Sequence, residues 1–223
     1  MPGQRGVAAL EFALTVPALV LLLFGMYDFA NGWMTWSRLT SGTFAIGQIA
    51  TTLAVQPDGT NSLSPLDATR ASTAILASMP QLTTNGIDYG VVLSEVVFKA
   101  NPPATNKDGT LAPPTYTGTV SWTVNTKGKG DLRPCARITA VGDNGVPSLM
   151  TLPQDAFQAN PILVVDTTYS FTPLFLQGFI GPFQMRWAAY FPSRSGTNNT
   201  APDGLSDMFI RHKDDSGGTV YCP

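Results

Sequence analysis

"RGVAALEFALTVPALVLLLFG", residues 5–25, sets the architecture of everything that follows it. No charge occurs from Phe12 to Tyr27. With Val7–Leu10 added, and Glu11 embedded, the run is long enough to cross a bilayer: about 20 residues at 1.5 Å rise span a hydrocarbon core of roughly 30 Å. Asp28 then falls near the far interface, with Tyr27, Trp33 and Trp36 placed for an aromatic belt. Pro17 lies inside the run and predicts a kink, which membrane helices tolerate better than soluble ones. Arg5 and the amino terminus precede the run, so the short N-terminal end is expected inside and everything after about residue 30 outside. The anomaly is Glu11. A carboxylate at the mouth of a spanning helix costs about 2.5–3.5 kcal/mol on insertion scales unless it is paired or reaches the headgroups.

Composition supports an extracytoplasmic, β-rich remainder. Charged residues make up 13% of the 223, well under the usual quarter, and the net charge is -2. That balance leaves no basic field for nucleic acid and no acidic tail. The 21 glycines and 18 prolines predict many turns and short strands. Cys135 and Cys222 are the two cysteines, and an even pair in an exported chain reads as one disulfide. Closing so long a loop is worth roughly 4–5 kcal/mol in the chain-entropy model. The alternative is two free thiols. No CxxC spacing is present to suggest zinc or thioredoxin chemistry.

Helical character continues past the span in "TWSRLTSGTFAIGQIATTLA", residues 35–54, where Leu39, Ile46, Ile49 and Leu53 recur at rough helical spacing. Gly42 and Gly47 weaken the helix but let another element approach closely. "SPLDATRASTAILASM", residues 64–79, predicts a further helix. Ser64 is its N-cap, Pro65 its first position and Asp67 its first-turn acid, and Ala68, Ala71, Ile75, Leu76 and Met79 form the apolar stripe. Pro80 ends it.

From residue 86 the period changes to two. "IDYGVVLSEVVFKA" (87–100), "YTGTVSWTVNT" (116–126), "PILVVDTTYSFTPL" (161–174) and "FQMRWAAYFPSR" (183–194) read as strands, with a bulge expected at Gly90. "KGKGDLRPCARIT" and "VGDNGVPS" read as loop. The expected fold is therefore α+β: an N-terminal transmembrane helix extending into helices, then a four-stranded antiparallel sheet. The expected division is a leader at 1–6, a spanning helix at 7–36, a helical segment at 37–80, the sheet domain at 81–192 and a mobile tail at 193–223 pinned by Cys222. "PLFLQGFIGPF", residues 173–183, is an apolar loop, either a turn tucked under the sheet or a patch for a partner or the outer leaflet.

Catalytic chemistry is sparse. His212 is the single histidine and lies in the charged stretch "RHKDD", so a Ser-His-Asp hydrolase lacks a rigidly placed base. Asp203, Asp207, Asp214 and Asp215 lack EF-hand spacing, and "KGKGDLR" lacks the strand–loop–helix context of a phosphate loop. No catalytic residue, metal or cofactor is expected.

The N-terminal residues carry a resemblance. Gly6 directly precedes the apolar run, and Glu11 followed by Phe12 occupies the fifth and sixth positions after it. This resembles prepilin-type signals, which a membrane peptidase cuts after the glycine, before the helix. An ordinary secretory signal fits less well, because "MYDFANGWMTW" after the run offers no small-x-small site. The start "RGVAALEFALTVPALVLLLFGMYDF" is similar to the opening of TadE-like minor pseudopilins, and "VVDTTYSFTPLF" resembles a pattern from the C-terminal half of that family. "FQMRWAAYFPSR" stands where the family's last strand stands. Phe12 departs from the more frequent Tyr, and the resemblance does not extend to the cysteine pair or the long tail.

The resemblance implies a pilin-like protein of the tight-adherence (Tad, or Flp) pilus. Gly6 and Val7 would flank the cut, and Glu11 with Phe12 would serve recognition and packing, the carboxylate meeting the freed amine of a neighbouring subunit. Implied partners are the prepilin peptidase, other pilins or pseudopilins, the assembly platform and membrane lipid, with no nucleic acid. The implied location is the bacterial inner membrane, crossed once, with the N-terminus cytoplasmic. The alternative from another class is an unprocessed, signal-anchored periplasmic enzyme or ligand-binding module. A deep polar pocket in the sheet domain favours the alternative, and an exposed apolar patch near the helix favours assembly.

Overall fold

The computed structural model describes residues 4–54, 63–83, 89–103, 115–142, 148–158, 160–192, 199–200, 206–207 and 219–222. One helix, α1, runs from Gln4–Leu53 without interruption, with Pro17 inside it, and at 1.5 Å per residue it is ~75 Å long. Its two halves live in different surroundings. Phe12, Leu14, Leu19, Leu21, Leu22, Leu23 and Met26 are all exposed. From Asp28 onward one face is buried, through Thr35, Leu39, Thr43, Ile46, Ala50 and Ala54. From Thr35 those positions recur every three or four residues, which is the stripe a helix needs to lie along a sheet.

The expected second helix forms and then breaks. The Ser64 hydroxyl accepts the Asp67 N–H at 3.1 Å and donates to the Asp67 carboxylate at 2.7 Å, which starts α2 (Pro65–Ser72). A turn at Thr73 and Ala74 separates it from α3 (Ile75–Ser78), and a 3-10 turn over Pro80–Thr83 follows. Ala68, Ala71, Ile75 and Met79 are buried against α1 and the sheet, and Leu76 is partly buried beside them. Close approach here depends on missing side chains. A Cβ on Gly42 would meet Ile75 Cγ1 at 2.9 Å and Ser78 Oγ at 2.6 Å, and one on Gly47 would overlap the Phe191 ring.

The sheet corrects the expectation of four antiparallel strands. β1 (Tyr89–Ala100), β2 (Tyr116–Gly128), β3 (Arg137–Val141), β4 (Thr151–Pro153), β5 (Ile162–Phe171) and β6 (Phe183–Pro192) lie in the order β4-β3-β2-β1-β5-β6. β3 and β4 pair in parallel and all the others antiparallel, so the sheet is mixed. The stretches expected as loop around residues 127–148 supply β3. Beyond them, β7 (Asn199–Thr200) and β8 (Ser206–Asp207) form a separate two-stranded ribbon, and β9 (Thr219–Tyr221) adds to the same edge of β2 that β3 uses. α4 (Gln177–Ile180) is one short turn in the apolar loop.

The expected bulge is displaced onto the neighbouring strand. Glu95 pairs with Trp122 and Val96 with Val120, so Ser121 is the extra residue; a second shift lies opposite Val91 and Val92. One extra residue exchanges the faces of everything after it. Accordingly Trp122 joins the core beneath α1 while Val120 joins a second core on the opposite face. That second core contains Val96, Phe98, Val120, Ile138, Leu152, Ile162 and Val164. The first contains Leu39, Ile46, Ile75, Leu93, Val165 and Phe191 among others, and is the seam between helices and sheet.

Candidate functional site

The β5–β6 hairpin lies along the upper half of α1. Gly32 faces Phe171, Trp36 meets Trp187 edge-on at 5.4 Å, Thr43 Oγ1 lies 2.6 Å from Thr167 Oγ1, and Phe44 contacts Phe191 at 5.9 Å. As the helix number rises from 32 to 44, β6 climbs toward Phe191, so the closed end of the hairpin points back toward the apolar half of α1. The loop at that end, residues 172–182, is held by α1.

Asp28 does the holding. Its Oδ1 accepts the Leu174 N–H at 2.9 Å, and its Oδ2 accepts the N–H groups of Phe175 and Leu176 at 3.0 and 2.8 Å. Three charge-assisted bonds to consecutive backbone donors fix the loop's path and satisfy amides that no regular element pairs. Below this clamp the Phe175 ring stacks on Phe24, with centroids 4.3 Å apart and planes within 8°, and Tyr27 meets it edge-on at 5.4 Å. An apolar groove of about 520 Å³ opens beside it, lined by Phe29, Trp33, Trp36, Leu176, Ile180 and Phe183 together with small residues of α1. Asp28, placed by the sequence at an interface, thus has a partner that sequence reasoning missed. The signal was there: it is the first charge after the apolar run, and from Thr167 to Met185 no charge occurs either.

A second buried charge organises the far face. Arg133 is almost wholly buried, donating from Nε and from a terminal nitrogen to the Asp166 carboxylate at 2.6 and 2.9 Å. Its remaining nitrogen reaches the Ser148 and Leu149 carbonyls at 3.3 and 3.1 Å. Burial raises the Asp166 carboxyl above its ordinary range, and the Arg133 charge works against that rise. A small cleft of about 190 Å³ adjoins the pair. Nearby, the Tyr190 hydroxyl is buried without a hydrogen-bond partner, and desolvation pushes it up to about 12. An Asp amid "ILVV" on a central strand demands such a cation, though sequence alone does not say which.

The remaining sequence-derived residues fall as follows. Gly6 and Val7 carry helical backbone in α1; the Val7 side chain lies outside the described residues. Glu11 and Phe12 are exposed on the bare half of the helix, and Thr15 Oγ1 donates back to the Glu11 carbonyl at 3.0 Å. The structure joins Cys135 to Cys222, and the Cys222 N–H donates to the carbonyl of the bulged Ser121 at 2.9 Å, so β9 and the bridge close over the second core. His212, Asp203, Asp214, Asp215 and most of the tail expected to be mobile lie outside the described residues. Among the described residues no group of three or more His, Cys, Asp or Glu side chains is arranged to hold a metal.

α1 is long and apolar enough to cross a membrane, and almost none of its apolar window is covered by the rest of the protein. It is therefore a candidate single-pass anchor. No curated protein and no solved structure matches the chain. Residues 6–46, from the glycine before the apolar run to the buried Ile46 of the helix–sheet seam, match the family model of TadE-like protein.

Proposed function

We propose that this chain is a membrane-anchored minor pseudopilin that takes part in assembling a tight-adherence pilus or a related secretion apparatus. The observation that carries the proposal is the coincidence of the TadE-like match over residues 6–46 with a bare apolar helix bearing one carboxylate, Glu11, near its start. The prepilin peptidase cuts between Gly6 and Val7 on the cytoplasmic side of the inner membrane. The freed amine of Val7 on one subunit then meets Glu11 of its neighbour. In a bilayer the isolated carboxylate is unfavourable by about 2.5–3.5 kcal/mol, and an adjacent ammonium removes that cost. Register between packed helices follows from the pairing, and Phe12 packs beside it.

The role is structural rather than enzymatic, with other pilins, the assembly platform and lipid as partners. Two features of the outer domain support assembly over ligand turnover. Its buried Arg133 is committed to Asp166 and to two carbonyls, and an apolar groove opens against the anchor helix.

Co-expression with the prepilin peptidase, followed by amino-terminal sequencing, tests the reading. Val7 as the first residue is expected. An intact leader, or a cut beyond Tyr27, contradicts it. Glu11→Ala should then be processed and folded yet fail to enter assemblies; unchanged assembly removes the pairing role.

A further inference from the structure

We infer that the 173–183 loop is a second membrane contact, a wedge that enters the outer leaflet beside α1 and is held at that depth by Asp28. This rests on the reading of α1 as the membrane anchor. Four observations lead to it.

First, the loop lies at the right height. Glu11 and Asp28 bracket the charge-free run and stand about 25 Å apart along the helix, close to the thickness of the hydrocarbon core. The loop backbone is fixed at Asp28, and Phe175 stacks on Phe24 one turn, or about 6 Å, further toward the bilayer. The loop is therefore continuous with the apolar anchor surface.

Second, its outer side is apolar and uncovered. Phe179 is 81% exposed and Ile180 61%, and on the neighbouring helix turns Phe29 and Trp33 are 75% and 67% exposed. Phe29, Trp33 and Ile180 line the groove, and the exposed Phe179 and Leu174 belong to the same loop, an aromatic composition suited to a lipid interface.

Third, the loop meets the main difficulty of placing irregular backbone near lipid. Unpaired amides are costly there, and non-helical chain is tolerated only where its polar groups are satisfied by protein. The Asp28 carboxylate takes three of those amides, and the Phe179, Ile180 and Gly181 N–H groups close the α4 turn.

Fourth, the sequence from Thr167 to Met185 carries no charge, so no side chain must leave the interface. The chemistry recognised is that of glycerophospholipid: acyl chain in the groove, headgroup at the level of Trp33 and Gln177.

The full chain in vesicles of phosphatidylethanolamine and phosphatidylglycerol provides the test. Among the described residues the cysteines are bridged, so single added cysteines can be spin-labelled selectively. Labels at Phe179→Cys, at Leu19→Cys within the span and at Lys99→Cys at the opposite end of the sheet are compared for collision with oxygen and with a water-soluble nickel complex. The proposal expects loss of nickel access at 179, as at 19, with full access at 99. It also expects that loss to persist when lipid is in excess and each vesicle holds one chain. Nickel access at 179 equal to that at 99, with 19 protected, overturns the wedge and leaves the anchor standing. Access at both 179 and 19 overturns the anchor itself. Protection at 179 that vanishes on dilution means that a second copy covers the patch, and the wedge fails.

Discussion

The two halves of α1 share one backbone and differ in what they ask of their side chains. Before Asp28, large apolar residues point in every direction and the rest of the protein covers almost none of them. After Asp28, apolar residues alternate with Thr, Ser and Gly, and one narrow stripe is buried against α2, α3, β5 and β6. The lower half suits a uniform apolar solvent, for which no face is special. The upper half suits a shaped protein surface, where a hydroxyl pair such as Thr43–Thr167 and the absence of a side chain at Gly47 matter individually. Damage to the domain should consequently be felt above Asp28 and not below it.

The largest effect is expected from Arg133→Met. It strands the buried Asp166 carboxylate, and breaking such a pair costs about 3–5 kcal/mol. Denaturant unfolding followed at the sheet should show that loss, while the lower half of α1 keeps its helicity in lipid. Arg133→Met combined with Asp166→Leu should recover much of it. Equal loss in the double variant would mean that the contacts to Ser148 and Leu149 dominate.

Two glycines of the same helix make the comparison sharper. Gly47→Ala forces a methyl into the Phe191 ring, and overpacking of this kind costs about 1–3 kcal/mol, from which a helix-propensity gain of up to about 1 kcal/mol is subtracted. Gly25→Ala meets only Leu176 Cδ1, at 3.8 Å, an ordinary contact. Thermal unfolding in vesicles should shift downward for the first and stay put, or rise slightly, for the second. The reverse order would place the tight seam on the wrong half.

The legible part of this molecule was its long, regular pieces. The apolar run, the Ser64 cap and the four long strands follow from local composition and period, because each contains enough residues to express its pattern. What escaped was short or nonlocal. β3 and β4 have five and three residues amid Gly, Pro and polar neighbours, too few to display a period. The shift at Ser121 is set by pairing with β1, and no residue type announces it. For Glu11 and Phe12, exposed on the bare half of α1, only the spacing from Gly6 was legible. The grip of Asp28 on residues 174–176 was not legible, since its partners are backbone amides roughly 146 positions away.

A smaller, pH-dependent effect concerns the domain alone. Desolvation raises the Tyr190 hydroxyl in the folded state to about 12, above the ordinary value of 10.0. The unfolded chain therefore ionises first. The stability tied to the neutral hydroxyl is intact below pH 10 and is lost as pH rises from there toward 12. Denaturation midpoints should fall across that window, and Tyr190→Phe should flatten the fall while changing little at pH 7. An equally steep fall in the variant would assign the alkaline limb to other groups.

Hydrogen exchange on the intact protein in vesicles, at a urea concentration near the midpoint of domain unfolding, tests the division of α1 most directly. Amides of residues 12–27 should stay protected, because a helix in hydrocarbon cannot give up its hydrogen bonds without a cost of several kcal/mol per group. Amides of residues 32–53 should exchange together with those of β1, β5 and β6. Exchange of 12–27 in step with the sheet, or protection of 32–53 after the sheet has opened, would contradict the account of one helix serving two solvents.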